Sequence, residues 1–190
     1  MADDGQRRIR YQTADGVPDE AAYGRVTDPG RYRPFWDWAR GEVDRLAREY
    51  DVERVDGGAE VDPELFGKLT GATDAVRLTP RSGGGAPATV VYTDFPGVGA
   101  RFGRWGEVVL PWCGCDACDE SPDDLRRTLE ECLAAVTSGA FREHLGPGAE
   151  TCPRAYFGTT EVSSLTAVAP ADRAAAPIDV RWGAWRGRAG

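Results

Sequence analysis

Ala88-Thr89-Val90-Val91-Tyr92-Thr93-Asp94-Phe95, Gly99-Ala100-Arg101-Phe102-Gly103-Arg104-Trp105 and Glu107-Val108-Val109-Leu110 follow closely on one another, broken at Pro96-Gly97 and at Gly106. Short segments rich in Val, Tyr, Phe and Trp with such punctuation read as an antiparallel meander. A further strand is predicted near Ala75 to Thr79, after a short helix opened by Asp62-Pro63-Glu64-Leu65-Phe66 and a break at Gly57-Gly58. Upstream, Thr27 or Asp28 can cap a helix with Pro29 in its first turn, and Tyr32, Phe35, Trp36, Ala39, Val43, Leu46, Ala47 and Tyr50 recur at helical spacing. That aromatic stripe reads as the buried face of the helix.

Downstream, Ser121 caps a second long helix with Pro122 at its first position and Asp123 and Asp124 in its first turn, where carboxylates suit the helix dipole. Its stripe of Leu125, Leu129, Cys132, Leu133 and Val136 predicts a helix running to about Leu145, stopped by Gly146-Pro147-Gly148. Strands are expected around Ala155 to Glu161 and Ser163 to Val168, a short helix at Pro170 to Ala175, and a final aromatic segment from Ile178 to Trp185. The order of elements gives the fold class: α+β, a mostly antiparallel sheet with two main helices packed on it in a single domain. Residues 1–22 read as a loosely held segment, 23–186 as the domain and 187–190 as a tail.

A hydrophobic content of 41% supports a real core, and 190 residues suit one domain. The formal charge of -8 argues against nucleic acid and anionic lipid as partners and leaves a basic protein or a small ligand. No apolar run is long enough for a signal-peptide core or a membrane span, so a cytoplasmic location is expected. Arginine outnumbers lysine 22 to 1, which makes any one arginine a weak sign of anion recognition. Arg101 and Arg104 can present to an anionic ligand, though on an antiparallel sheet they also suit a solvated face. The run Arg81 to Pro87 is glycine-rich but lacks the Gly-Lys-Ser/Thr ending of a nucleotide loop and reads as a turn.

Three of the five cysteines fall in Cys113-Gly114-Cys115-Asp116-Ala117-Cys118-Asp119-Glu120. In a reducing compartment such a cluster points to metal ligands, redox groups or packed thiols rather than to a disulfide framework. Cys113, Cys115 and Cys118 are the candidate metal ligands, zinc being the metal that best suits thiolates in a structural site. The fourth ligand is the difficulty, with Cys152, Asp116 and Asp119 as candidates. On a straight helix from Ser121, Cys132 lies about 16 Å and His144 about 35 Å along the axis, out of reach of the loop. Cys132 reads as a packed thiol, and His144 as a cap near the helix end. Asp116, Asp119 and Glu120 disfavour a free thiolate, whereas a bound dication reverses that sign. Cys115-Asp116-Ala117-Cys118 also has Cys-x-x-Cys spacing, but its helix begins after both cysteines rather than at the first.

Tyr23-Gly24-Arg25-Val26-Thr27-Asp28-Pro29, Phe95-Pro96-Gly97-Val98, Arg101 to Trp105, the cysteine loop and Trp182-Gly183-Ala184-Trp185 together resemble a family of uncharacterised, chiefly actinobacterial proteins of unknown function. The resemblance implies no activity, cofactor or catalytic residue. The chain departs from the family pattern between Gly146 and Gly158, and has Trp112 where a serine is usual. The reading is therefore a binding or interaction module whose cysteine loop can hold a structural zinc. A thiol-dependent redox or metal-dependent enzyme using the same loop is the competing class, and an acidic neutralising partner of a basic protein is a third.

Overall fold

Phe35, Ala39, Val43 and Leu46 fall on one stripe of helix α1 (Arg33–Glu49) and are buried, which fixes that helix against the sheet. The computed structural model describes residues 17–148, 152–163 and 166–188. Most of the segment expected to be loosely held, Met1 to Gly16, lies outside the described residues. Before α1 the chain makes two 3-10 turns, Glu20–Gly24 and Pro29–Tyr32. Pro29 thus opens a separate turn rather than α1, and neither Thr27 nor Asp28 caps a helix through its side chain.

After α1 come β1 (Val52–Gly57), α2 (Pro63–Lys68), β2 (Ala72–Pro80), β3 (Ala88–Thr93), β4 (Val98–Phe102) and β5 (Gly106–Leu110). The five strands form an antiparallel sheet in the order β1-β2-β3-β4-β5, so the predicted three-strand meander is present and is extended at its start by two strands, the expected β2 and the unexpected β1. Its β4 ends at Phe102, and Gly103, Arg104 and Trp105 make the turn into β5. One face of this sheet, with Val76, Leu78, Val90, Ala100 and Phe102, joins α1 and α3 (Pro122–Ser138) in the main core. The other face is partly covered by α2, where Val61 and Leu65 pack on Ala75 and Val91.

Helix α3 begins as the sequence predicts: Ser121 Oγ accepts from the Asp124 N–H at 3.1 Å, and Pro122 opens the helix. It ends at Ser138 and not at Leu145. Gly139 takes a left-handed cap at φ 80°, and a side chain there would meet the Ala184 backbone nitrogen at 2.7 Å. The residues beyond form β6 (Phe141–Leu145), in which Phe141, Glu143 and Leu145 point inward. With β7 (Arg154–Phe157), β8 (Thr160–Ser163) and β9 (Ile178–Arg181) it makes a second antiparallel sheet in the order β8-β7-β6-β9. The single strand expected from Ala155 to Glu161 is a hairpin folded at Gly158-Thr159. Of the strand expected from Ser163 to Val168, Ser164 and Leu165 lie outside the described residues, and residues 166–168 are not strand. Helix α4 (Pro170–Ala175) lies where it was predicted.

Glu143 explains how the two sheets are joined. Its carboxylate, 1% exposed, accepts from the backbone N–H groups of Arg104 at 3.0 Å, Trp105 at 2.5 Å and Gly106 at 2.8 Å, and from the Trp182 indole at 2.8 Å. A charge removed from water this completely persists only where donors replace its hydration. Four donors do so here, and they tie the β4–β5 turn of the first sheet to β6 and the end of β9 in the second. Glu143→Leu is expected to lower stability in urea titration by about 3–5 kcal/mol, because four buried donors lose their acceptor, and Glu143→Gln by roughly half as much. A loss below about 1 kcal/mol for the leucine variant would contradict this role.

Candidate metal centre

Leu110 ends the meander, and the chain turns at once into the cysteine loop. Gly114 takes φ 71°, and an added Cβ would lie 2.7 Å from the Phe95 ring, so both the backbone and the space demand glycine. Phe95 in turn rests on Tyr32, with ring centroids 5.6 Å apart. From Cys115 the chain makes a single helical turn, the Asp119 N–H donating to the Cys115 carbonyl at 3.2 Å. That turn brings Cys118 back over Cys115, and the Cys118 N–H donates to the Cys115 sulfur at 3.4 Å.

The Sγ atoms of Cys113, Cys115 and Cys118 lie within 4.8 Å of one another, and among the described residues no further His, Cys, Asp or Glu joins them. Tetrahedral Zn–S bonds of about 2.3 Å set sulfurs about 3.8 Å apart, so small rotations of the exposed Cys113 and Cys118 side chains are enough to close on an ion. Cys115 is 3% exposed and forms the floor. Burial works against its thiolate, but hydrogen bonds from Cys113, Cys118 and the Ala117 amide outweigh it and hold its pKa below the ordinary thiol value. Cys118 is pushed up to about 12, first by its bond to Cys115 and then by burial. Of the three, Cys115 is thus the thiol whose ionisation the surroundings favour, and a bound cation would favour ionisation of the other two.

Asp116 is completely buried. Its Oδ1 accepts from the Thr27 N–H at 2.9 Å, its Oδ2 from the Thr27 hydroxyl and from Arg25 Nε at 3.0 Å, and Arg31 Nη1 stands 3.6 Å away. Burial alone would raise its pKa, but the Thr27 and Arg25 hydrogen bonds hold it down to about 2. Two backbone bonds run beside it, Asp116 N–H to the Arg25 carbonyl at 2.9 Å and Ala117 N–H to the Ala22 carbonyl at 3.2 Å. Arg31 Nη2 donates to the carbonyls of Gly114 at 3.3 Å and Cys115 at 3.4 Å. On the other side the Glu120 carboxylate accepts from the N–H groups of Trp112, Cys113 and Gly114. Two of the acidic residues expected to repel a thiolate are therefore spent on holding the loop, and the Cys115 pKa moves down, not up.

The remaining candidates are elsewhere. Both Asp116 oxygens are occupied by the amino-terminal segment, and Cys152 is an exposed residue just before β7. Cys132 is packed in α3, burial pushing its thiol up to about 12. His144 sits on β6 and not at a helix end, its Nδ1 2.9 Å from Asp179 Oδ1 of the facing β9 residue. Sequence reasoning missed Thr27, Arg25 and Arg31 as supports of the loop. The Thr27-Asp28-Pro29 run was spent on a helix cap, and nothing local links it to a carboxylate 89 residues later.

With thiol reagent and no metal, Cys113 is expected to react fastest, Cys118 more slowly because its raised pKa leaves little thiolate, and Cys115 slowly because it is buried, as read by peptide mass spectrometry. Asp116→Ala should release the loop and raise the Cys115 rate about tenfold or more, since reactivity follows access and thiolate fraction. An unchanged Cys115 rate in that variant would show that Asp116 does not fix the loop.

No helix among the described residues is long and apolar enough to cross a membrane. Comparison with curated proteins found no match, and comparison with solved structures found none. The sequence matches a family of unknown function (DUF6226) over residues 1–189, and the chain belongs to that family.

Proposed function

We propose that Cys113, Cys115 and Cys118 bind one zinc ion as a structural staple, and that the stapled loop is the face through which this protein binds a partner. The convergence of three sulfurs carries this reading. The backbone N–H directed at the Cys115 sulfur and the helix amino terminus that follows at Pro122 both offset the charge of a metal thiolate centre. The exposed sides of Cys113 and Cys118 leave the fourth position to the adjacent Asp119 or a water.

Surface chemistry supports the interaction role. Of the five exposed large apolar residues described, Trp112 precedes the first cysteine, and Tyr23 and Val26 lie within the segment, Ala22 to Thr27, that bonds Asp116 and Ala117. An exposed indole beside a rigid loop is the kind of anchor that binding surfaces use. The net charge of -8 favours a basic partner. A redox role fits less well, because the thiol with the lowered pKa is the buried one while exchange with a substrate needs access.

Untagged protein purified without chelator is expected to carry about one zinc per chain, and Cys115→Ser to lose it together with about 5–10 °C of thermal stability. Trp112→Ala should keep both metal and stability. Metal-free wild-type protein that takes up no zinc on titration would overturn the proposal.

A further inference from the structure

The face of the first sheet that α2 covers only in part carries a second site. Arg77 of β2 pairs with Thr89 of β3, and Thr89 with Arg101 of β4, so the three side chains stand in one row on one face. Together with Arg104 from the β4–β5 turn and Asp62 before α2 they line a cleft of about 210 Å³. Three guanidinium groups thus converge on one cleft of a chain whose net charge is -8.

The hydrogen bonding of this cleft is incomplete. Arg101, 13% exposed in its side chain, spends Nη1 on Asp62 at 2.9 Å, with Glu64 at 3.4 Å. Its Nε and Nη2 are shielded from solvent and have no partner. Buried donors left so are rare, and the Nε–Nη2 edge is the one that grips two oxygens of an oxyanion side by side. Arg77 has no carboxylate partner among the described residues, while Arg104 reaches Asp172 at 3.4 Å through a largely exposed contact. Arg77 and Arg101 lie two strands apart, about 10 Å between their backbones, with the Thr89 hydroxyl between them. Two side chains as long as arginine can both reach a ligand seated over the central residue, and both line the cleft.

We infer that this cleft is a binding site for a phosphate group, free or borne on a small metabolite, held by Arg77, Arg101 and Arg104 around Thr89. A tetrahedral phosphate offers oxygens in several directions and takes donors from two guanidiniums and a hydroxyl at once. A carboxylate has two oxygens in one plane and is saturated by a single fork. Asp62 holds Arg101 by Nη1 and so leaves its gripping edge to the ligand. This site is separate from the cysteine loop and does not depend on a metal there.

The test is calorimetric titration of the full chain with inorganic phosphate, with acetate in parallel, at fixed ionic strength. One phosphate per chain is expected, with acetate about tenfold weaker or more, and with Arg77→Ala and Arg104→Ala each weakening phosphate about tenfold. Both arginines are at least partly exposed, so these variants should fold, as circular dichroism would verify. Arg101→Lys, which keeps the charge but loses the fork, should weaken binding as well. No saturable phosphate binding, equal binding of acetate, or phosphate binding unaltered in the Arg77 and Arg104 variants would overturn the assignment.

Discussion

A carboxylate with no exposure to water, Asp116, decides how the cysteine loop is held. Left without donors such a group would be costly to bury, so the chain must bring donors to it. They come from Arg25 and Thr27, in a segment far away in sequence, with the Arg31 guanidinium 3.6 Å off adding its charge. The amino-terminal turns and the loop thereby become one unit, with Ala22, Cys115 and Ala117 forming a small apolar cluster between them. The outer side of that unit presents the sulfurs of Cys113 and Cys118 above the buried sulfur of Cys115. Glu143 applies the same rule between the two sheets, again with backbone N–H groups as donors.

This arrangement accounts for the position of the loop in the fold. The meander delivers the chain to Leu110, and Ser121 caps α3, so both ends of the ten residues between are anchored to regular structure. Glu120 gathers three N–H groups of the first half of the loop, and Asp116 ties down the second half. A loop tethered at each end and from beneath loses little conformational freedom on closing around an ion, which favours binding.

Features with a local period were legible in the sequence. The β-rich runs between Ala88 and Leu110, the stripe of α1 and the Ser121-Pro122 start of α3 each declare themselves within a few residues. The end of α3 did not, because Phe141 and Leu145 extend an apolar spacing that remains compatible with a helix, while the stop at Gly139 rests on the close passage of Ala184. Strand β1 has one buried residue, Val52, in six and so carries no alternation to read; its charged side chains suit a sheet edge. The glutamate pointing inward from β6 disguised that strand as a charged helical surface. At the candidate site, cysteine spacing identified the three sulfurs, whereas the same passage misjudged the acids beside them. The partners of Asp116 lie far away in sequence and those of Glu120 are backbone N–H groups within the loop, and only the folded chain shows that both carboxylates are already satisfied.

Zinc K-edge X-ray absorption on protein purified without chelator tests the central claim most directly. The account predicts scattering from three sulfurs at about 2.3 Å with one further light or sulfur ligand, and loss of that shell in Cys115→Ser. A bound zinc surrounded only by oxygen and nitrogen, or protein that holds no zinc after incubation and desalting, would contradict it.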